Sequence, residues 1–221
     1  MMKTSVVIGS TGLVGSKIIE LLANDSQYSQ VYSIARQQQT HWPEKVTFIP
    51  FDAGNYPINQ AIDTAFCCLG TTMKKAGSKD AFRKVDLDMV VDFAQKAKAA
   101  GIERFALVSS IGADPKSKNF YLKTKGQVEE ELKKLGFTRL AIVHPSLLLG
   151  KRKEKRIAED IGKALYHIFS FLFIGPLGKY KGIKDEDVAK AMIALVEQGQ
   201  GTVIVESNTL KLFSKEYDAK R

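Results

Sequence analysis

The stretch Gly9-Ser10-Thr11-Gly12-Leu13-Val14-Gly15 decides the fold. Ahead of it, Ser5–Ile8 is apolar and β-branched and predicts a strand, and behind it Leu13–Ala23 carries apolar residues at helical spacing. Gly9 permits a tight turn, Gly12 leaves room for a pyrophosphate to approach the backbone, and Gly15 lets the helix pack closely on the sheet. The free N–H groups of the helix start then face the phosphates. A glycine triplet alone is a weak signal. Between a strand and a helix it predicts a dinucleotide-binding loop, to which Ser10, Thr11, Leu13 and Val14 also belong.

Outward from the loop, strand-like and helix-like segments alternate. Val31–Ala35, Val46–Phe51 and Thr64–Leu69 read as the next three strands. Ala81–Ala100 reads as a helix with Phe82, Val85, Met89, Phe93 and Ala97 inward, stopped by Gly101. Phe105–Val108 is a strand, Asn119–Leu135 a helix, and Leu140–Val143 a strand closed by His144-Pro145. Asp185–Glu197 reads as a helix, Thr202–Val205 as the last strand, and the tail is mostly polar. The alternation predicts an α/β fold of Rossmann type, a doubly wound parallel sheet with helices on both faces. One domain over residues 1–221 is expected, with a small substrate region mainly at 146–185. Ligands of such sheets bind at the carboxyl ends of the strands. Gly9, Arg36, Asp52, Gly70, Ser109–Ser110 and Pro145–Ser146 are therefore the places to look for chemistry.

A hydrophobic fraction of 44% and a charged fraction of 26% exclude a disordered chain. The N-terminus runs directly into a strand and does not read as a signal peptide. Ala164–Leu177 is too short to span a bilayer and holds a His, a Gly and a Pro, so no transmembrane segment is expected. It reads as a buried helix or pocket wall, with a membrane-touching or partner surface as the alternative. Cys67 and Cys68 are adjacent, which disfavours a bond between them, and no metal-ligand spacing is present. They read as small buried residues of a reducing, cytoplasmic protein. The net charge of +9 raises nucleic-acid binding, but the densest basic run, Lys151–Arg156, has no interleaved aromatic residue and reads as a solvated segment. A basic surface also suits a multiply charged phosphate cofactor.

Two further sites carry chemistry. At the end of the second strand stands Arg36, where an NAD-preferring site usually has an acid for the ribose hydroxyls; an Arg suits the 2′-phosphate of NADP. NADP(H) is thus expected over NAD(H). Tyr121 and Lys125 are four apart on a helix and share a face. An ammonium near a phenol favours the phenolate, so the Tyr can exchange a proton with a carbonyl or alcohol. The strand-end pair Ser109-Ser110 precedes this helix by a short loop.

In this order, GSTGLVG, Ser110, Tyr121 and Lys125 resemble the loop and the Ser–Tyr–Lys set of the short-chain dehydrogenase/reductase superfamily, of the atypical or extended type. CCLGTTMKKAG, KVDLDMV, SSIGAD, NFYLKTKGQVE and HPSLLLG are similar to its TIP30-like branch, which implies NADP(H) binding. The resemblance implies that Tyr121 is the general acid/base, that Lys125 orients the nicotinamide ribose, and that Ser110 holds the substrate oxygen. Ser109 is the alternative to Ser110, disfavoured because its side chain should point to the other face of the strand. The resemblance further implies that Asp52 contacts adenine, that Leu69, Gly70 and Thr71 pass beside the adenine ribose, and that Pro145, Ser146 and Leu147 border the nicotinamide carboxamide. The family's NNAG motif is replaced by CLGTT, and the C-terminal region is short for an extended member.

The expected activity is hydride transfer to or from a carbonyl or alcohol. A non-catalytic NADP(H)-dependent regulatory or partner-binding module is the alternative. Leu148, Phe169, Phe171 and Phe173 hint at an apolar or aromatic small-molecule substrate. A protein partner is possible, no nucleic acid is expected, and monomer and homodimer stand open.

Overall fold

The computed structural model describes residues 2–52, 56, 58, 62–150 and 182–221. Seven parallel strands form the main sheet: β1 (Lys3–Ile8), β2 (Tyr28–Ala35), β3 (Val46–Pro50), β4 (Thr64–Cys67), β5 (Arg104–Val108), β6 (Arg139–His144) and, after the two-residue pair β7 (Leu148–Leu149) and β8 (Ile183–Lys184), β9 (Gly201–Glu206). Their order is β3-β2-β1-β4-β5-β6-β9. The chain winds outward one way from β1 and then the other way from β4, so the order reverses between these two strands and opens a crevice at their carboxyl ends.

The helices are α1 (Leu13–Asn24), α2 (Met73–Ala76), α3 (Lys79–Arg83), α4 (Met89–Ala99), α5 (Phe120–Lys134), α6 (Asp185–Glu197) and α7 (Ser207–Ala219). Alternate strand residues feed two cores. Val7, Phe66, Ala106 and Val143 pack with Ile18 and Leu22 of α1 and Met192 and Leu195 of α6. Val6, Ile8, Phe105, Leu107 and Ile142 pack with Phe93 and Ala97 of α4 and Val128 and Leu132 of α5. Burial on both faces explains why these strands are apolar throughout rather than alternating.

Two segments depart from the sequence reading. Between α3 and α4, Lys84–Asp88 is a turn of π-helix. The inward places expected of Val85 and Met89 go to Asp86 and Val90, while Phe82, Phe93 and Ala97 stay inward. Instead of Phe82, Val85, Met89, Phe93 and Ala97, the buried positions are Phe82, Asp86, Val90, Phe93, Ala94 and Ala97. The polar tail folds as α7, whose buried residues Ser207, Leu210, Ser214 and Tyr217 recur at three and four. Two of the four are serines, which hides the stripe from a hydrophobicity count. The Ser214 hydroxyl donates to Asp187 at 2.9 Å. The runs at 151–156 and 164–177, and most of the expected substrate region, lie outside the described residues. Among the described residues no helix is long and apolar enough to cross a membrane.

At the amino-terminal edge of the sheet a charged cluster closes the fold. The Glu197 carboxylate accepts from Lys3 Nζ at 2.8 Å, Tyr28 Oη at 2.7 Å and Arg221 Nη2 at 3.0 Å. Arg221 also reaches Asp25 at 2.5 Å. Burial works to raise the Glu197 pKa, but hydrogen bonds from Lys3 and Tyr28 and the charge of Arg221 outweigh it and hold the carboxyl below its ordinary range. A depressed carboxyl stabilises above its unfolded pKa, about 4.3, and this contribution is lost as pH falls through the folded value. Glu197→Gln is expected to lose about 1–2 kcal/mol in denaturant unfolding at neutral pH, with the difference from wild type shrinking below about pH 4. A difference that persists unchanged into acid would show that packing, not charge, holds the cluster.

Candidate active site

The carboxyl edge is built around the first glycine loop. Gly9 follows β1 with φ at +75°, and a Cβ there would lie 2.5 Å from the Cys68 carbonyl carbon and oxygen. A Cβ on Gly15 would lie 2.3 Å from the Gly9 oxygen. Only hydrogen fits at either point, so strand, loop and helix approach as a pyrophosphate cradle requires. The Gly12 N–H donates to the Gly9 carbonyl at 3.0 Å and holds the turn closed. Thr11 and Gly12 are exposed at the rim, Leu13 is half-buried, and Val14 packs into the core.

Ser10 turns inward. Its hydroxyl accepts from Ser33 Oγ at 2.7 Å and donates to the Ile34 carbonyl at 3.4 Å, pinning the loop to the end of β2. Arg36 follows β2 and is exposed, as is Asp52 after β3. Leu69, Gly70 and Thr71 follow β4, Ser109 and Ser110 follow β5, and Pro145, Ser146 and Leu147 follow β6. Because every one of these strands is parallel, all the residues singled out at strand ends lie on one edge. The Ser146 N–H donates to Ser207 Oγ at 2.5 Å at the start of α7, and Leu147 is exposed.

Helix α5 brings the remaining residues. Asn119 caps it by accepting from the Leu122 N–H at 3.1 Å. One turn in, Tyr121 is half-buried against the Phe82 ring, with centroids 5.8 Å apart. Lys125 is buried, and its Nζ lies 6.0 Å from the Tyr121 ring centroid. The same Nζ lies 2.6 Å from Asp86 Oδ1, delivered by the π turn. Asp86 Oδ2 accepts from the Thr71 N–H at 2.7 Å. Burial works to lower the Lys125 pKa, but the charge of Asp86, with smaller help from Tyr121, raises it above the ordinary lysine value. A Cβ at Gly70 would stand 3.5 Å from Asp86 Oδ1 and 4.0 Å from Lys125 Nζ, so the loop after β4 lies over this pair.

A further turn along α5, the buried Glu129 carboxylate accepts from the Ser109 hydroxyl and lies 2.7 Å from His144 Nε2. The Ser109 hydroxyl is therefore committed to α5, whereas Ser110 Oγ makes a 3.3 Å contact to the carbonyl of Ile111. Asp86, Glu129 and His144 escape the sequence reading. The four-residue spacing Phe82–Asp86–Val90 is the signal that marks the first. Tyr121–Lys125–Glu129, also four apart, marks the second. Cys67 and Cys68 are free, and burial pushes the Cys67 thiol up to about 12.

Comparison with known proteins gives the family. A family model described as NAD(P)H-binding matches residues 9–199. The protein FMP52, mitochondrial, of Debaryomyces hansenii is 32% identical over 220 residues, covering 95% of this chain and 96% of that protein. The protein HTATIP2 of Rattus norvegicus is 34% identical over 171 residues, covering 74% of this chain and 70% of its own length. Among solved structures, a short chain dehydrogenase family protein from Francisella tularensis superposes with a TM-score of 0.66 at 16% identity, over 96% of this chain and all of that one. MoeE5 in complex with UDP-glucose and NAD gives 0.67 at 15%, over 98% and 82%. At such identities the structures speak for the Rossmann-type fold. The expectation of a cytoplasmic protein is overturned, because the fungal relatives that span this chain are named as mitochondrial. With the family match running from the first glycine of the loop through α6, the chain belongs to the NAD(P)H-binding family, together with its relatives FMP52 and HTATIP2.

Proposed function

We propose that the protein is an NADPH-dependent oxidoreductase acting on a carbonyl or the corresponding alcohol. The observation that carries this reading is the placement of Tyr121 one helical turn from Lys125, beside the loop after β4 and on the same edge as the glycine cradle. The bound nicotinamide would supply or accept the hydride. The chain's own part is binding, orientation and proton handling. N–H groups of the glycine loop hold the pyrophosphate. Arg36 takes the 2′-phosphate, Asp52 the adenine, and Leu69–Thr71 the adenine ribose. Lys125 orients the nicotinamide ribose, and Pro145–Leu147 borders the carboxamide. The Tyr121 phenol gives or takes the proton at the substrate oxygen. Commitment of the Ser109 hydroxyl to Glu129 favours Ser110 as the group that holds that oxygen. Leu147 and Leu149, exposed at 40% and 50%, support an apolar substrate entering beside them.

Titration with NADPH and NADH, followed by nicotinamide fluorescence, tests the cofactor assignment. Wild type is expected to prefer NADPH, and Arg36→Ala to lose about tenfold or more of NADPH affinity with little change for NADH. Equal loss for both nucleotides would remove Arg36 from the 2′-phosphate. A non-catalytic NADP(H)-binding module is the second reading. Equal turnover of reducible substrates by wild type and Tyr121→Phe would select it.

A further inference from the structure

We infer that Asp86 is a positioning residue that offsets the charge of Lys125 at Tyr121 and so moderates the pull of the ammonium on the phenol proton. The inference rests on the reading of Tyr121 as the proton carrier. In the Tyr–Lys arrangement that the sequence suggests, a lone ammonium pulls the phenol toward phenolate. Here the ammonium is not alone. Asp86 Oδ1 lies 2.6 Å from Lys125 Nζ, and the two side chains are 1% and 8% exposed. From Tyr121 the two opposite charges form a dipole rather than a cation, and a dipole's influence falls off faster with distance. The carboxylate cannot easily leave, because its second oxygen holds the Thr71 N–H at 2.7 Å and the π turn presents it inward.

The other groups packed around the pair form a constant background to it. From β4, the Cys67 thiol is kept neutral by burial. From α3, Arg83 donates to Gln127 at 2.8 Å and Lys79 lies over the Phe120 ring at 5.4 Å; both keep their charge, and both are unchanged in every variant of the test. Phe82, which packs on Tyr121, carries no charge. Glu129 is engaged with Ser109 and His144 one turn further along α5. One carboxylate thus ties the loop after β4 to the lysine of α5 and moderates the charge that reaches Tyr121.

The test is a tyrosinate absorbance titration of the full chain without nucleotide. The contribution of Tyr121 is isolated by subtracting the matching Tyr121→Phe protein in each background. Asp86→Asn is expected to move the Tyr121 step to lower pH by about one unit or more, because the ammonium is left unopposed. Lys125→Gln is expected to move it upward. The double variant Asp86→Asn/Lys125→Gln removes both charges, which a fold tolerates better than losing one, and should leave the step within about half a unit of wild type. An unmoved step in Asp86→Asn overturns the inference. So does a double variant displaced as far as Lys125→Gln alone, and that comparison survives if Asp86→Asn fails to fold. Failure of NADPH to bind would instead sink the cofactor reading and leave this titration intact.

Discussion

Gly15→Ala is expected to destabilise the protein by about 2–4 kcal/mol and to weaken NADPH binding about tenfold or more, although the substitution improves intrinsic helix propensity. Gly15 lies in the first turn of α1, and alanine there is worth about 1 kcal/mol in propensity. Against that gain stands a contact. The added Cβ would lie 2.3 Å from the Gly9 oxygen and 2.9 Å from its carbonyl carbon. Neither atom is free to retreat. Gly9 is itself confined, since at φ +75° its hydrogen faces the Cys68 carbonyl where a Cβ would be 2.5 Å away. Either α1 lifts from the sheet, opening the contacts of Ile18 and Leu22 with Val7, or the loop opens and spreads its N–H groups. Denaturant unfolding reads the first and nicotinamide fluorescence the second. Ser16→Ala on the exposed side of the same turn serves as the control, and should stay within about 0.5 kcal/mol of wild type. If Gly15→Ala behaves like the control, the cradle is looser than its geometry states.

The glycine loop was legible in the sequence because its cause is local. A strand, a turn that only glycine fits and a helix start follow each other within a few residues. Tyr121 and Lys125 were legible for the same reason: both stand on one helix with a clear cap and stop. Asp86 was not, because inward positions are sought among apolar residues and Asp86 is a carboxylate. Asp86 stands four residues after Phe82 and four before Val90, on the inward side by spacing, and a count of apolar residues passes over a carboxylate there in favour of Val85 and Met89. The inward turn of Ser10 depends on Ser33 of a different strand. The network of Ser109, Glu129 and His144 joins the ends of β5 and β6 to α5, and no window of sequence contains all three. Where the partner of a polar group comes from another element, periodicity has nothing to report.

Helix α5 then acquires a role beyond carrying the Tyr–Lys pair. Tyr121, Lys125 and Glu129 stand on one stripe, and each is fixed by a different neighbour. Phe82 of α3 packs the first ring, Asp86 of the π turn holds the second, and the ends of β5 and β6 hold the third. Rotation of the helix would break all three contacts together. The height of Tyr121 above the sheet is therefore referenced to the same strand ends that carry Ser110 and Pro145, which a shared substrate oxygen would require.

Lys125→Met is expected to be the most damaging substitution for stability, with a loss of about 3–5 kcal/mol in denaturant unfolding at neutral pH. Methionine fills most of the space of the lysine stem, so cavity formation is a small part of the loss. The larger part is the Asp86 carboxylate, buried at 1% exposure and left without its cation. The Thr71 N–H at 2.7 Å still solvates one oxygen, which keeps the cost below that of a bare buried charge. The double variant Asp86→Leu/Lys125→Met separates the two contributions. It removes both ions and replaces them with apolar groups of similar volume, an exchange that is often neutral. The Thr71 N–H would then lack its acceptor, at about 1–2 kcal/mol. The double variant should therefore recover most, but not all, of the loss. A single variant that costs less than about 1 kcal/mol would mean that solvent reaches the pair and that it behaves as a surface ion pair. A double variant as unstable as the single would mean that the lysine stem, rather than the charge, is what α5 needs at this position.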